Sequence, residues 1–247
     1  MNCRLYIGYA LACCLIISCK QPLQQSVVQY QGFQINKQTP VDSSLIRLIE
    51  PYGNQLKSSM GKVIGHSLNG MSKKQPESEI GNYMADAMKE MAEKKFGIKV
   101  DASFVNYGGV RSYIAKGDVT VGQIFELMPF DNLVVLQEIK GTVLQQFLDA
   151  TASDGGWPLS GVKMEIKDKK AIHIIIGGKA FDKNVSYWIA NSDYVANGGS
   201  NCSMLKGIHQ ENKGYLLRDA LIDYTVESSA KGKSIDSNIE NRVVNAN

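Results

Sequence analysis

A chain of 247 residues, 44% of them hydrophobic, can bury one core of ordinary to large size or two small ones. Its net charge of +3 is slight, and its lysines come in short groups (Lys73-Lys74, Lys94-Lys95, Lys167 to Lys170) that read as solvated turns and helix ends. No basic stripe forms, so nucleic acid is not an expected partner.

The chain opens on a processing signal. Arg4 supplies a positive start, and Leu5 to Ile17 an apolar stretch too short, with these flanks, to span a bilayer. It ends in Leu15-Ile-Ile-Ser-Cys19, which resembles a bacterial lipobox with Cys19 as the lipidated residue. An ordinary signal peptide that happens to contain Cys19 is the alternative. The expected boundaries are a signal peptide over 1–18, a Gln- and Ser-rich lipidated tether over 19–40, and one folded domain over 41–247. Two or three acyl chains would hold that domain at a bacterial membrane on the extracytoplasmic side, the outer membrane being the expected one. Cys3, Cys13 and Cys14 leave with the signal, so Cys202 is the only remaining thiol and no intramolecular disulfide is expected. It reads as a small packing residue.

Asp42-Ser-Ser44 can cap a helix carrying Leu45, Ile46, Leu48 and Ile49, which Pro51 is expected to end or kink. Lys62 to Ser67 reads as a short strand. Ile80, Met84, Ala87, Met88 and Met91 recur at helical spacing, and Gly97 marks the end of that helix. Thr120 and Gln123 form a capping-box pattern ahead of Ile124 to Leu127. Asn132 to Ile139 predicts a strand and Thr142 to Ala150 a helix. Val162 to Ile166 and Ala171 to Ile176 predict a hairpin around Asp168 to Lys170, with His173 an exposed strand residue. Val185 to Ala190 is a further strand and Tyr215 to Val226 a late helix, while His66 and His209 flank glycine turns. Strands and helices in this non-alternating order predict an α+β fold, a mixed sheet packed with helices.

Two glycine loops carry the chemistry. In Phe104-Val-Asn-Tyr-Gly-Gly-Val-Arg-Ser112, Gly108 and Gly109 let a ligand approach the backbone, Asn106 offers an amide, and Arg111 offers a planar fork. The second loop is Asn191-Ser-Asp-Tyr194-Val-Ala-Asn197-Gly198-Gly199-Ser200, and Met128-Pro-Phe130-Asp-Asn-Leu133 lies between the two. A simpler reading remains open for each: Asn106 as a turn residue, Arg111 as a surface ion-pair arginine, Phe130 and Tyr194 as core aromatics.

These segments, with Glu77-Ser-Glu-Ile-Gly-Asn82 and Gly117-Asp-Val-Thr120, resemble in order the C-terminal domain of the 5′-nucleotidase and UDP-sugar hydrolase family, from about Val41 to Val244. The resemblance implies that Phe130 and Tyr194 clamp a base, Asn106 bonds the base edge and Arg111 the phosphate, with Asn197, Gly198, Gly199 and Ser200 in the ribose-proximal loop. Two departures stand out. Family members continue the second loop Gly-Gly-Asp-Gly, where this chain has Ser200 and Asn201, and some carry an arginine where this chain has Pro76, leaving Lys73 and Lys74 as the nearest cations. The resemblance therefore implies retained base stacking with a reduced grip on ribose and phosphate.

Family enzymes also carry a metallophosphatase domain with two metals on Asp, His and Asn ligands. This chain holds only His66, His173 and His209, and no run with metal-ligand spacing. No catalytic residue, metal ligand or cofactor is expected within it; divalent metals are expected on a separately encoded metallophosphatase chain. The expected function is the nucleotide-recognition half of a 5′-nucleotidase-type phosphoester hydrolase, in nucleotide catabolism. The alternative is a non-catalytic lipoprotein that binds nucleosides or nucleotides outside the cytoplasm.

Overall fold

The computed structural model describes residues 30–246. The expected signal peptide, Cys19 and the first part of the tether lie outside the described residues. The chain divides after Ile46 into two units. In the first, residues 30–42 form neither helix nor strand, and Asp42 Oδ1 accepts from Ser44 N and Leu45 N to start α1 (Ser43–Met60). That helix continues past Pro51 where the sequence suggested a stop. The residues around Pro51 are exposed, so the carbonyl left without a donor by the proline can turn to water. No residue of α1 is buried, and Leu45, Leu48, Ile49, Tyr52 and Leu56 all face solvent.

In the second unit, β1 (Val63–Ser67) pairs antiparallel with β3 (Gly117–Thr120), which places His66 within a strand and not at a turn. Ser78 caps α2 (Glu79–Phe96) by accepting from Gly81 N, and Gly97 closes it in the left-handed conformation, φ 69°. Thr120 and Gln123 complete the reciprocal capping box that starts α3 (Val121–Leu127).

The central sheet runs β10 (Glu211–Leu216), β4 (Leu133–Lys140), β9 (Ser186–Ser192), β2 (Ala102–Phe104), β5 (Leu159–Ser160). Only β2 and β9 are parallel neighbours; the other pairs are antiparallel, so the sheet is mixed. Alternation divides its side chains between two cores. Val134, Leu136 and Ala190 face α2 and α6 (Leu217–Ala230), while Phe104, Ile139 and Ile189 join the core under α4 (Gly141–Ser153). There Phe104, Phe147 and Trp157 meet edge to face, with centroids 4.9 and 5.9 Å apart. A second sheet, β11 (Val243–Asn245), β6 (Val162–Lys167), β7 (Lys170–Ile176) and β8 (Lys179–Ala180), contains the expected hairpin, with His173 exposed. The late helix starts two residues after the expected Tyr215, because Tyr215 and Leu216 belong to β10.

This topology gathers the loops. The end of parallel β2 lies beside the end of β9, and antiparallel β4 starts where β9 finishes, as the pair Val134↔Ser192 records. The segments after β2, before β4 and after β9 therefore emerge at one end of the sheet.

Candidate functional site

Leaving β2, the chain turns through a single 3₁₀ turn, Tyr107–Gly109, in which Gly109 N donates to Asn106 O at 2.8 Å. The turn folds the Asn106 side chain back over Gly109: a Cβ on that glycine would stand 2.8 Å from Asn106 Oδ1. Asn106 is buried, and its Nδ2 donates to Ser200 Oγ at 3.4 Å, joining the first glycine loop to the second. Arg111 is exposed, with its guanidinium carbon 5.6 Å from the Phe130 ring centre and Nη1 donating to Gly108 O at 3.3 Å.

After β9, Ser192 caps the short helix α5 (Asp193–Ala196), which carries Tyr194. Tyr194 folds over its own loop: Gly199 N donates to Tyr194 O at 2.9 Å, and Ser200 N donates to the tyrosine hydroxyl at 3.3 Å. A Cβ on Gly199 would sit 2.5 Å from the ring, so this position has to be glycine for the ring to lie where it does. Ser200 and Asn201 follow with φ of 52° and 63°. Both occupy the left-handed region that the family's glycine would enter freely, and asparagine enters with less strain than most residues.

Asn106, Gly108, Gly109, Arg111, Phe130, Tyr194 and Ser200 come together around one cleft of about 380 Å³, with Asn132 as a further wall. Phe130 and Tyr194 are 39% and 49% exposed, too open for core aromatics. Asn197, Gly198 and Gly199 are not among the lining residues. The Asn197 side chain turns away to accept from Gln210 Nε2 at 3.0 Å, Gly198 makes the turn with φ 93°, and Gly199 supports the Tyr194 ring.

Sequence reasoning missed the residues that hold this cleft. Arg218, 8% exposed, donates to Phe130 O at 3.3 Å and Asp131 Oδ1 at 2.8 Å, and stacks on Phe125 at 4.2 Å. Asp193 Oδ1 accepts from both Leu133 N and Tyr194 N, at 3.0 and 2.9 Å, tying the start of β4 to the tyrosine. Arg218 stands in no motif, and Asp193, although inside the second glycine loop, carried no assigned role. Conversely, Glu77 and Asn82, inside a motif, stitch the C-terminal segment: Glu77 accepts from Glu240 N and Arg242 N, and Asn82 Nδ2 donates to Asn238 O. Their role is to hold the fold together.

The family model for the 5′-nucleotidase C-terminal domain matches residues 61–207, more than half of the chain. The chain belongs to this family. A relative, the trifunctional nucleotide phosphoesterase protein YfkN of Bacillus subtilis, is 24% identical over 231 residues, covering 85% of this chain and 16% of that protein. The 5′-nucleotidase of Vibrio cholerae is 25% identical over 201 residues, covering 76% and 35%. The 5′-nucleotidase precursor of Thermus thermophilus superposes with a TM-score of 0.71 at 22% identity, over 84% of this chain and 44% of that one, a likeness of fold. The chain thus spans less than half the length of each of these proteins.

The resemblance implied a two-metal centre outside this chain, and the chain's histidines bear on that expectation. Here His66 pairs with Asp118 at 3.2 Å, His173 with Glu165 at 3.0 Å and His209 with Glu211 at 3.1 Å, each pair exposed and apart from the cleft. Among the described residues no three His, Cys, Asp or Glu side chains converge. The described residues do not fit a two-metal centre, and no chemical step is assigned to them. No helix among the described residues is long and apolar enough to cross a membrane.

Proposed function

We propose that this domain is the nucleotide-recognition half of a 5′-nucleotidase-type phosphoester hydrolase, acting with a separately encoded metallophosphatase chain that brings the divalent metals. The observation that carries the reading is the single cleft between two half-exposed aromatics, with an amide at its floor and a guanidinium at its rim. A base stacked between Phe130 and Tyr194 would gain roughly 1–3 kcal/mol per ring without demanding one hydrogen-bond pattern. Asn106, held in place by Ser200 and Gly109, is fixed to read a base edge. Ser200 supplies a hydroxyl toward ribose, and Arg111 stands where a 5′-phosphate would leave the cleft. Lipid attachment through Cys19, on the extracytoplasmic side of a bacterial membrane, belongs to the same proposal.

Titration calorimetry of adenosine and AMP into the purified protein tests it. The expected result is saturable binding that is lost when both rings are replaced by alanine. Absence of binding by any common nucleoside or nucleotide would remove the proposal. The lack of converging metal ligands favours a second reading, a binding lipoprotein without turnover. Phosphate release from AMP on adding a candidate metallophosphatase chain with divalent metal, beyond what that chain achieves alone, decides for the first.

A further inference from the structure

Helix α1 carries an apolar face that the fold leaves uncovered. Leu45, Leu48, Ile49, Tyr52 and Leu56 recur at i, i+3, i+4, i+7 and i+11, which brings them onto one side of the helix, and they are 53–73% exposed. Arg47, Glu50, Asn54 and Ser58 take the opposite side. Both hydrophobic cores close without a side chain from residues 47–60. A contiguous apolar surface of this kind marks a contact with something outside the fold.

Three observations choose the occupant. Ser43 follows Cys19 by 24 residues, a length that reaches at most about 85 Å, so an anchor on Cys19 keeps α1 close to the bilayer. Tyr30, Phe33 and Ile35, between that anchor and the helix, are exposed as well, and tyrosine in particular favours the boundary between lipid and water. Arg47 and Lys57 outnumber the single Glu50 on α1, and Lys62 follows it, a balance that suits the phosphates of a bilayer surface. A second copy of the helix is a poorer match. Its 18 residues fall short of the roughly three to four heptads that mark a helix pair, and Pro51 and Gly53 interrupt them.

We propose that α1 lies in the headgroup layer of a phospholipid bilayer, as a second membrane contact beside the lipid on Cys19. Its apolar face turns toward the acyl chains, and Arg47 and Lys57 turn toward lipid phosphates. The inference rests on the Cys19 anchoring proposed above. With one side polar, the helix is built to lie along a surface and not to cross it.

The test places the lipidated protein in vesicles of phosphatidylethanolamine and phosphatidylglycerol. A fluorescent label goes on Leu56→Cys or, on the opposite side of the helix, on Asn54→Cys; Cys202 is buried and stays unlabelled. Both variants should melt with wild type, since neither residue is buried. Aqueous iodide is expected to quench the label at position 56 severalfold less than the label at 54, and brominated lipid to quench only the former. Equal iodide quenching at both positions on vesicle-bound protein would put α1 in water, which overturns the inference and leaves the anchoring intact. Protection from iodide without quenching by brominated lipid would mean that protein covers the face, a second copy or another chain, and overturns it as well. Protein that does not float with the vesicles refutes the anchoring, and the inference falls with it.

Discussion

At the scale of single residues, the cleft depends on rings that are open on one face. Replacing Phe130 or Tyr194 by alanine should weaken adenosine binding by roughly 1–3 kcal/mol each. Melting temperature should change little, because both rings are about half exposed. A lowered melting temperature with unchanged affinity would show that the rings serve the core. Ser200 offers a test in the other direction. Its backbone already holds a left-handed φ of 52°, a conformation that aspartate tolerates better than most residues, and its Oγ already faces Asn106 Nδ2. Ser200→Asp would replace a neutral acceptor with a charged one, each such bond about twice as strong. Ribonucleosides should tighten more than their 2′-deoxy analogues; equal tightening, or none, would place the hydroxyl away from ribose.

At the scale of elements, Arg218 on α6 governs a loop that is distant in sequence. Its guanidinium anchors Phe130 O and Asp131 while lying on Phe125. Arg218→Ala should cost roughly 1.5–3 kcal/mol of stability, the range for hydrogen bonds to a charged group. It should also reduce adenosine affinity, since the Phe130 ring loses its seat. Denaturant unfolding beside calorimetry separates the two effects, and a stability loss with full affinity would show that the loop holds itself. The elements differed in how well the sequence announced them. Helix α2 and the β6–β7 hairpin were legible because burial imposes a period on their residues. Strand β10, written Glu-Asn-Lys-Gly-Tyr-Leu, and the three-residue β11 were not, because partner strands pair them without an apolar alternation to read. The cleft walls were legible through glycines and aromatics whose chemistry is local. Arg218 was not, because its meaning arises only from what the fold brings beside it.

Across the whole molecule, burial leaves a signature at alkaline pH. Cys202 is fully buried beneath the second glycine loop, and that burial, aided by the Asp154 charge, pushes its thiol up to about 12 from an ordinary 9.0. Burial likewise raises the Tyr83 phenol, against the opposing hydrogen bond from Thr225. A raised folded pKa contributes stability that is complete below the unfolded value and fades as pH climbs toward the folded one. The denaturant midpoint should therefore hold up to about pH 9 and decline between there and about 12. A thiol reagent at about pH 8 should label Cys202 only when denaturant is present; rapid labelling of the native protein would contradict the burial. One further consequence follows from the carboxylate of Asp193, which grips the first residue of β4 and the tyrosine after β9 with the same oxygen. The turn carrying Tyr194 is thereby tied to the start of β4, three residues after Phe130, on two strands paired from Val134↔Ser192 to Lys140↔Ser186. Arg218 holds the Phe130 backbone, so that the gap between the aromatic jaws is set like that of a fixed caliper. A ligand has no jaw to close. Stopped-flow mixing with adenosine should give one exponential phase whose rate rises linearly with concentration, and a saturating second phase would reveal movement that this mounting forbids.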